Sequence, residues 1–527
     1  VTAVFDAPPG RPLLNIDGVS GTMPSFDDRS LAVLRWAASH YVAPLSTILT
    51  RTLPPNIPRG ERRVDRPHQH GGASFSVVVS SAITHAEHVV SAVCKATDAG
   101  CSAMVIAPSI AEVTAIAEEL KRRFGEIVVS ATSGSSARDA TRAWAHAAGN
   151  APSVLVGTRE ILLWPVADCT VTVVVEDARR VLKSPSTPTL GVREVIVRKA
   201  AAEGHHVTFL SPVPTLESLA IGSSVAAARG RQWPIVEVAD RAEEPPSRSL
   251  LLQRTRSALV AVVKRDARAF VLVPSRGYAP AFRCVRCGEL RTCDVCGTAA
   301  TRKGECKRCG SSLGACVHCA SHRFEPLGAG IGSVRDAIAR SVGDAVGVRG
   351  DQRPITVGTE RDLVGHPLID LAVSLDVDGL AHAPTYRASE DALRLLVRLG
   401  HLVRRGRGNR LLVQTALPDQ PVVAALRSGR SETFLQQLAA ERRRFSFPPF
   451  GELIALEITK GFEVGDEVSD ALEPVATVLG PAAMGDRDRW LVQATDLGEG
   501  RVRLRRLVRS LRDRGASVRV DVDPIDL

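Results

Sequence analysis

"SFSVVVSSAITHAEHVVSAVCKATDAGCSAMVIAP" occupies residues 74–108. Ser74–Ser80 is a short β-branched run and reads as a buried strand. Ala86–Gly100 has apolar residues at helical spacing and stops at a glycine, as helices do. Ala103–Pro108 is a second strand. One strand, one helix and one strand in this order form a crossover unit, which builds a parallel sheet with helices packed on its faces.

The same rhythm continues on the C-terminal side. Residues 110–125 read as a helix with basic residues in its last turn and Gly125 just beyond it. "EIVVSAT", "SARDATRAWAHAAG", "SVLVGT", "TVTVVVEDA", "GVREVIVRKAAAEG" and "HVTFLSPVP" extend the alternation. A second α/β block starts near Ile235, with strands "AFVLVP", "PITVGT" and "LAVSLDVDG", and a cysteine-rich segment interrupts it after Phe282. An end block from Glu432 holds the strand "LIALEIT", a helical "VGDEVSDALEPVATVLG" (464–480), the strand "RWLVQAT", a basic helix around Arg501–Arg514 and the closing strand "SVRVDVDPI". On the N-terminal side, Leu31–Leu53 predicts two short helices broken near Pro44. Residues 54–72 lack periodicity and read as a Pro-, Gly- and charge-rich linker. The expected organisation is an N-terminal segment 1–53, a linker 54–72, a first lobe 73–230, a second lobe 231–430 with an insert at 283–322, and a small α+β domain 431–527. No internal repeat is visible.

The 527 residues suit three or four domains, and a hydrophobic content of 44 % is ample for their cores. A net charge of +10 favours a polyanionic partner such as nucleic acid. Arginine far outnumbers lysine, however, and Ala and Gly are abundant, as a G+C-rich genome produces, so charge alone does not decide. No apolar run approaches the roughly 20 residues of a membrane helix. "VTAVFDAPPGRPLL" lacks the basic start and apolar stretch of a secretory signal. A cytoplasmic protein without a membrane partner is expected. The chain begins with Val1, which leaves open an alternative start codon or a truncation.

Eight of the eleven cysteines fall in residues 284–319. They form four Cys-x-x-Cys knuckles: Cys284/Cys287, Cys293/Cys296, Cys306/Cys309 and Cys316/Cys319. In a reducing compartment such pairs read as metal ligands rather than disulfides. Two knuckles complete a tetrathiolate site, so four knuckles imply two structural zinc ions with no open position for a catalytic water. Interleaved pairing fits the usual ribbon spacing better than nested pairing, but spacing leaves both open. His318 and His322 lie near the last knuckle and read as surface residues. Arg283, Arg286, Arg291, Lys303, Lys307 and Arg308 either offset the thiolate charge or form a contact surface.

These features resemble the PriA family of replication-restart primosomal proteins, bacterial superfamily-2 DNA helicases. The four-knuckle insert after "SRGYAPAFRC" (275–284) carries most of the resemblance. "GTREILLWP" (157–165), "LDVDG" (375–379), "FPPFGELIALEI" (447–458) and "VDVDPID" (520–526) add to it. The resemblance implies two recA-like parallel-sheet lobes and a nested zinc arrangement. By that pattern Cys284, Cys287, Cys316 and Cys319 hold one ion, and Cys293, Cys296, Cys306 and Cys309 the other. It also implies that residues 1–53 are a remnant of an N-terminal DNA-binding domain, with no room before Gly72 for the family's winged helix.

The family's nucleotide chemistry is degraded at most of the expected positions. The phosphate cradle needs glycines, a lysine and a hydroxyl for magnesium. The matching "VSSAITHAE" (79–87) has neither Gly nor Lys, and places His85 and Ala86 where the Lys and the hydroxyl belong. The acidic motif reads Val175, Glu176, Asp177, Ala178, so the magnesium-positioning acid is lost. In "VRLGHLVRR" (397–405), His401 replaces the first arginine and Arg404 keeps the later one. The coupling motif reads "LSPVP" (210–214), and no aromatic lies between Glu176 and Lys199. ATP and magnesium are therefore not expected.

The resemblance then implies a restart protein without motor activity. It would bind branched or single-stranded DNA and, by analogy, primosome components, single-stranded DNA-binding protein and the replicative helicase loader. The alternatives are an active ATP-dependent 3′→5′ helicase and a zinc-ribbon interaction scaffold. Few aromatics (4 %) predict phosphate-led DNA binding. The candidate contacts are Arg179, Arg180, Lys183, Arg276, Arg404, Arg405 and the basic helix at Arg501–Arg514.

Overall fold

A computed structural model describes residues 23–56, 72–81, 84–222, 224–227, 231–244, 250–273, 282–287, 289, 291–295, 304, 306, 311–326, 330–383, 385–462 and 464–525. The chain divides into two compact units. One holds residues 1–78 and 84–226, the other residues 79–83 and 227–527.

The first unit opens with α1 (Asp28–His40) and α2 (Leu45–Leu49), which break at Pro44 as the sequence predicts. There follow β1 (Ser74–Val79), α3 (His85–Thr97), β2 (Ser102–Ile106), α4 (Ile110–Phe124), β3 (Val128–Ala131), α5 (Ala137–Gly149), β4 (Val154–Gly157), β5 (Cys169–Val175), α6 (Val192–Glu203), β6 (His206–Ser211), α7 (Leu216–Ile221) and β7 (Ser224–Ala227). The strands form one seven-stranded sheet in the order β3-β4-β2-β5-β6-β1-β7. The β2–β4, β2–β5, β3–β4 and β5–β6 pairs are parallel. Every residue of β2 and β4 is buried, which explains their unbroken apolar runs. Ser109 and Ser136 cap α4 and α5 by accepting the Glu112 and Asp139 N–H groups. The N-terminal segment is docked on this unit. Tyr41 Oη accepts the Gly191 N–H at 3.0 Å, and Trp144 Nε1 donates to the Thr52 carbonyl at 2.9 Å.

The second unit holds β8 (Val236–Asp240), α8 (Gln253–Lys264), β9 (Ala269–Leu272), β10 (Phe282–Cys284), β11 (Phe324–Pro326), α9 (Ile331–Val342), β12 (Val346–Gly347), β13 (Ile355–Gly358), β14 (Leu371–Ser374), α10 (Val377–Ala381), α11 (Ala388–His401), β15 (Arg410–Thr415) and α12 (Pro421–Ser428). A six-stranded sheet runs β12-β13-β9-β14-β15-β8, with every neighbouring pair parallel. The cysteine segment leaves the chain after β9 as the antiparallel pair β10–β11. The strand expected over residues 371–379 ends at Ser374. Asp376 then accepts the Gly379 N–H and starts α10, because an N-cap carboxylate favours the helix over continued extension.

The unit closes with α13 (Glu432–Arg444), β16 (Glu452–Thr459), α14 (Gly465–Leu472), β17 (Thr477–Met484), β18 (Arg487–Ala494), α15 (Gly498–Asp513) and β19 (Val518–Val522). The antiparallel order is β17-β18-β16-β19. The expected helix over residues 464–480 is corrected here. It stops at Leu472, two residues before Pro474, and β17 begins at Thr477. Pro474 cannot continue the hydrogen-bond ladder, and the β-branched Thr477 and Val478 pair with Gln493 and Val492.

Candidate metal centre and candidate nucleic-acid interface

Cys284 ends β10, and the β10–β11 register sets it opposite Phe324. The first knuckle closes as the Cys284 N–H donates to the Glu289 carbonyl, and the last as the Cys316 N–H donates to the Ser321 carbonyl. This brings the outer two knuckles together. The Sγ atoms of Cys284, Cys287, Cys316 and Cys319 all lie within 4.8 Å of one another. Cys284–Cys319 and Cys287–Cys316 approach at 3.4 and 3.5 Å. A disulfide needs about 2.05 Å, so these are thiols. A tetrahedral ion with Zn–S bonds of about 2.3 Å sets its sulfurs about 3.8 Å apart, and the four-thiol set fits such an ion. For these outer knuckles the pairing is the nested one that the resemblance implies, not the interleaved one that spacing favours.

His318 and His322 are exposed and stand outside the four-cysteine cluster. Of the inner knuckles, Cys293 and Cys306 are buried, and Cys293 Sγ lies 3.1 Å from Ser311 Oγ. Cys296 and Cys309 lie outside the described residues, as do Lys303, Lys307 and Arg308. Arg291 is a packing residue. Its guanidinium sits 4.1 Å from the Phe324 ring centroid and donates to the Leu313 and Gly314 carbonyls.

At the nucleotide-motif positions, His85 is buried as the first residue of α3, and Ala86 beside it is half-buried. Ala82 lies outside the described residues. Val175 ends β5 fully buried. Glu176 follows at φ +48°, pinned by its N–H to the Leu210 carbonyl at 2.7 Å. Its carboxylate accepts from Arg179 at 2.9 Å, and Arg179 also reaches Glu112 at 3.5 Å. Asp177 accepts from Arg193 at 3.0 Å and from Thr215 Oγ1 at 2.8 Å. Both remaining acids are therefore engaged by guanidinium groups in buried surroundings. Arg193 continues to Glu194 at 2.5 Å. Burial by itself would raise the Glu194 carboxyl, but the Arg193 charge holds it below its ordinary value. Sequence reasoning missed Arg193, Thr215 and Glu112. No motif marks them, and only the fold brings them to the end of β5.

His401 is buried at the end of α11, with Nε2 at 3.2 Å from the Gln232 carbonyl. The DNA-contact candidates separate by environment. Arg179 is an ion-pair residue, as described above. Arg180 is exposed and Lys183 half-buried. Arg404 pairs with Asp370 at 3.2 Å and donates to the Leu368 carbonyl, while Arg405 is exposed. Arg276 lies outside the described residues. On α15 and at its C-terminal cap, Arg501, Arg503 and Arg514 pair with Glu452, Glu499 and Glu467, and Arg506 and Arg509 are exposed. No helix among the described residues is long and apolar enough to cross a membrane.

Two parallel-sheet α/β lobes, a four-cysteine module after the β9 strand and a closing antiparallel domain define a multidomain α/β protein. The particular relationship is with PriA. Residues 443–525 match the model of the primosomal protein N C-terminal domain. The chain is 24 % identical over 434 residues to the replication restart protein PriA of Bacillus subtilis (strain 168), covering 73 % of this chain and 54 % of that protein. It is 28 % identical over 442 residues to the probable replication restart protein PriA of Mycobacterium leprae (strain TN), covering 75 % and 66 %. A solved structure of RecG bound to a three-way DNA junction aligns at a TM-score of 0.40 and 12 % identity, over 70 % of this chain and 43 % of that one. The chain is thus similar in sequence to replication restart proteins PriA, and spans between half and two thirds of the length of the proteins it matches.

Proposed function

We propose that this chain is a DNA-binding restart protein without motor activity. It binds branched or single-stranded DNA through phosphate contacts and serves primosome assembly. Its protein partners are the kinds expected from its relatives: primosome components, single-stranded DNA-binding protein and the loader of the replicative helicase. Its compartment is the cytoplasm.

The observation that carries this reading is the state of the β5 terminus in a PriA-like chain. The lysine, hydroxyl and first-acid positions are His85, Ala86 and Val175, and the two acids that remain are held by Arg179 and Arg193. A nucleoside triphosphate needs backbone donors, an ammonium and magnesium around its phosphates. Neither an ammonium nor a free carboxylate is offered at these positions.

Zinc is the ion proposed for the Cys284/Cys287/Cys316/Cys319 cluster, and a second zinc for the inner knuckles. Bound there, zinc supplies structural cross-linking, since four thiolates leave no open position. The deciding experiment measures fork-DNA and magnesium-ATP binding on one preparation. Fork binding that weakens steeply with salt, together with no ATP binding, is expected. Tight ATP binding would promote the helicase alternative, and absence of any DNA binding would leave the scaffold alternative.

A further inference from the structure

Arg442–Gly451, "RRRFSFPPFG", joins α13 to β16 and carries a ring placed unlike any other among the described residues. Phe445 is 52 % exposed, and among the described residues no other Phe, Tyr or Trp is exposed. A single exposed apolar side chain is ordinary on a protein surface. This one is held and flanked in a way that ordinary exposure does not need.

The backbone beneath Phe445 is fixed. Gln493 Nε2 donates to both the Phe445 and Ser446 carbonyls, at 2.7 and 2.9 Å, and Ser446 turns the chain at φ +52°. Behind the ring lies a row of aromatics. Phe447 is 6.4 Å from Phe445, and Tyr386 stacks on Phe447 at 4.9 Å with the planes 10° apart. Two cations border it. The Arg444 guanidinium is 5.4 Å from the Phe445 centroid, and that of Arg443 is 4.3 Å from the Phe450 centroid. Both arginines are exposed.

We infer that this turn is a single-stranded DNA site in which one base stacks on Phe445 while Arg443 and Arg444 hold the adjoining phosphates. The inference rests on the DNA-binding reading and deepens it. Stacking needs a rigid π-face with one side open, and phosphate contact needs cations beside it. Duplex bases are already stacked on their neighbours, so an unpaired strand is the occupant.

The test uses the full chain and an oligo(dT) strand, with and without one abasic position, beside a fork-DNA control. Phe445→Ala should weaken oligo(dT) binding roughly tenfold with the salt slope unchanged, and Phe445→Trp should restore it. Arg443→Gln and Arg444→Gln should each flatten the salt slope by about 0.7. The abasic position should cost the wild type affinity but cost Phe445→Ala little more. If Phe445→Ala binds oligo(dT) as the wild type does while fork binding persists, the site is overturned and the DNA-binding reading stands. If the wild type binds neither DNA, both fall. A change of oligomeric state in Phe445→Ala with unaltered DNA affinity assigns the ring to contact between copies and likewise overturns the site.

Discussion

Arg442 of α13 donates to Glu390 of α11, and both side chains are excluded from solvent. Arg394 reaches the other oxygen of the same carboxylate, and Arg442 also donates to the Pro448 carbonyl at 3.1 Å. One acid thus ties α11 of the parallel-sheet lobe to α13, the first helix of the closing domain. Removing one member strands buried charge, which costs about 3–5 kcal/mol. Glu390→Gln is expected to lower the stability of the second unit by about that much. A Glu390→Leu/Arg442→Met double variant should recover part of the loss. Urea denaturation of the wild type, Glu390→Leu, Arg442→Met and the double variant completes the cycle, and additive losses would refute the coupling.

Metal analysis should find two zinc ions per chain. On the proposal that the outer and inner knuckles ligate separately, Cys316→Ser should remove one equivalent and Cys293→Ser the other. Ligation is coupled to folding, so each variant should loosen the insert while leaving both parallel sheets intact by hydrogen exchange. A single ion, none, or iron in place of zinc contradicts the expectation.

His85→Lys should restore neither ATP binding nor hydrolysis. The lysine alone lacks its hydroxyl and first-acid partners, and the ring it replaces is buried. Arg193→Gln should instead destabilise the first unit, because it leaves the Asp177 carboxylate without its guanidinium. Calorimetric titration with magnesium-ATP and a thermal melt read the two effects apart. Hydrolysis that DNA stimulates and Glu176→Gln abolishes would overturn the expectation.

Burial pushes the Cys169 thiol up to about 11 from an ordinary 9.0. The folded chain therefore holds its proton more tightly than the unfolded chain between those values. The corresponding stability is fully present below pH 9 and is lost as pH rises toward 11, by about 2–3 kcal/mol. A Cys169→Ala variant lacks this dependence. The difference in melting temperature between wild type and variant should shift against the wild type from pH 9 to pH 11. A constant difference across that range would show that the thiol does not titrate as its surroundings require.

The sequence by itself determined the alternation of strands and helices, since period-2 and period-3.6 patterns reflect which faces are buried. It determined the four knuckles, because Cys-x-x-Cys is a local geometry. The expectation of a lost cradle also comes from the sequence, from His85 and Ala86 at the positions where a lysine and a hydroxyl would stand. The sequence reading misassigned residues 464–480, where apolar spacing outweighed the signal of Pro474. Spacing left the knuckle pairing open, and the β10–β11 pairing brings the outer two together, joining Cys284 to Cys319 across 35 residues as the resemblance implies. Tertiary structure alone showed Arg179, read as a DNA contact, to be the partner of Glu176, and Arg193 to be the partner of Asp177. Charge pairing between distant segments leaves no periodic trace in a sequence. It depends on where the sheet's C-terminal ends and the helix faces come to rest, and only the folded chain fixes that.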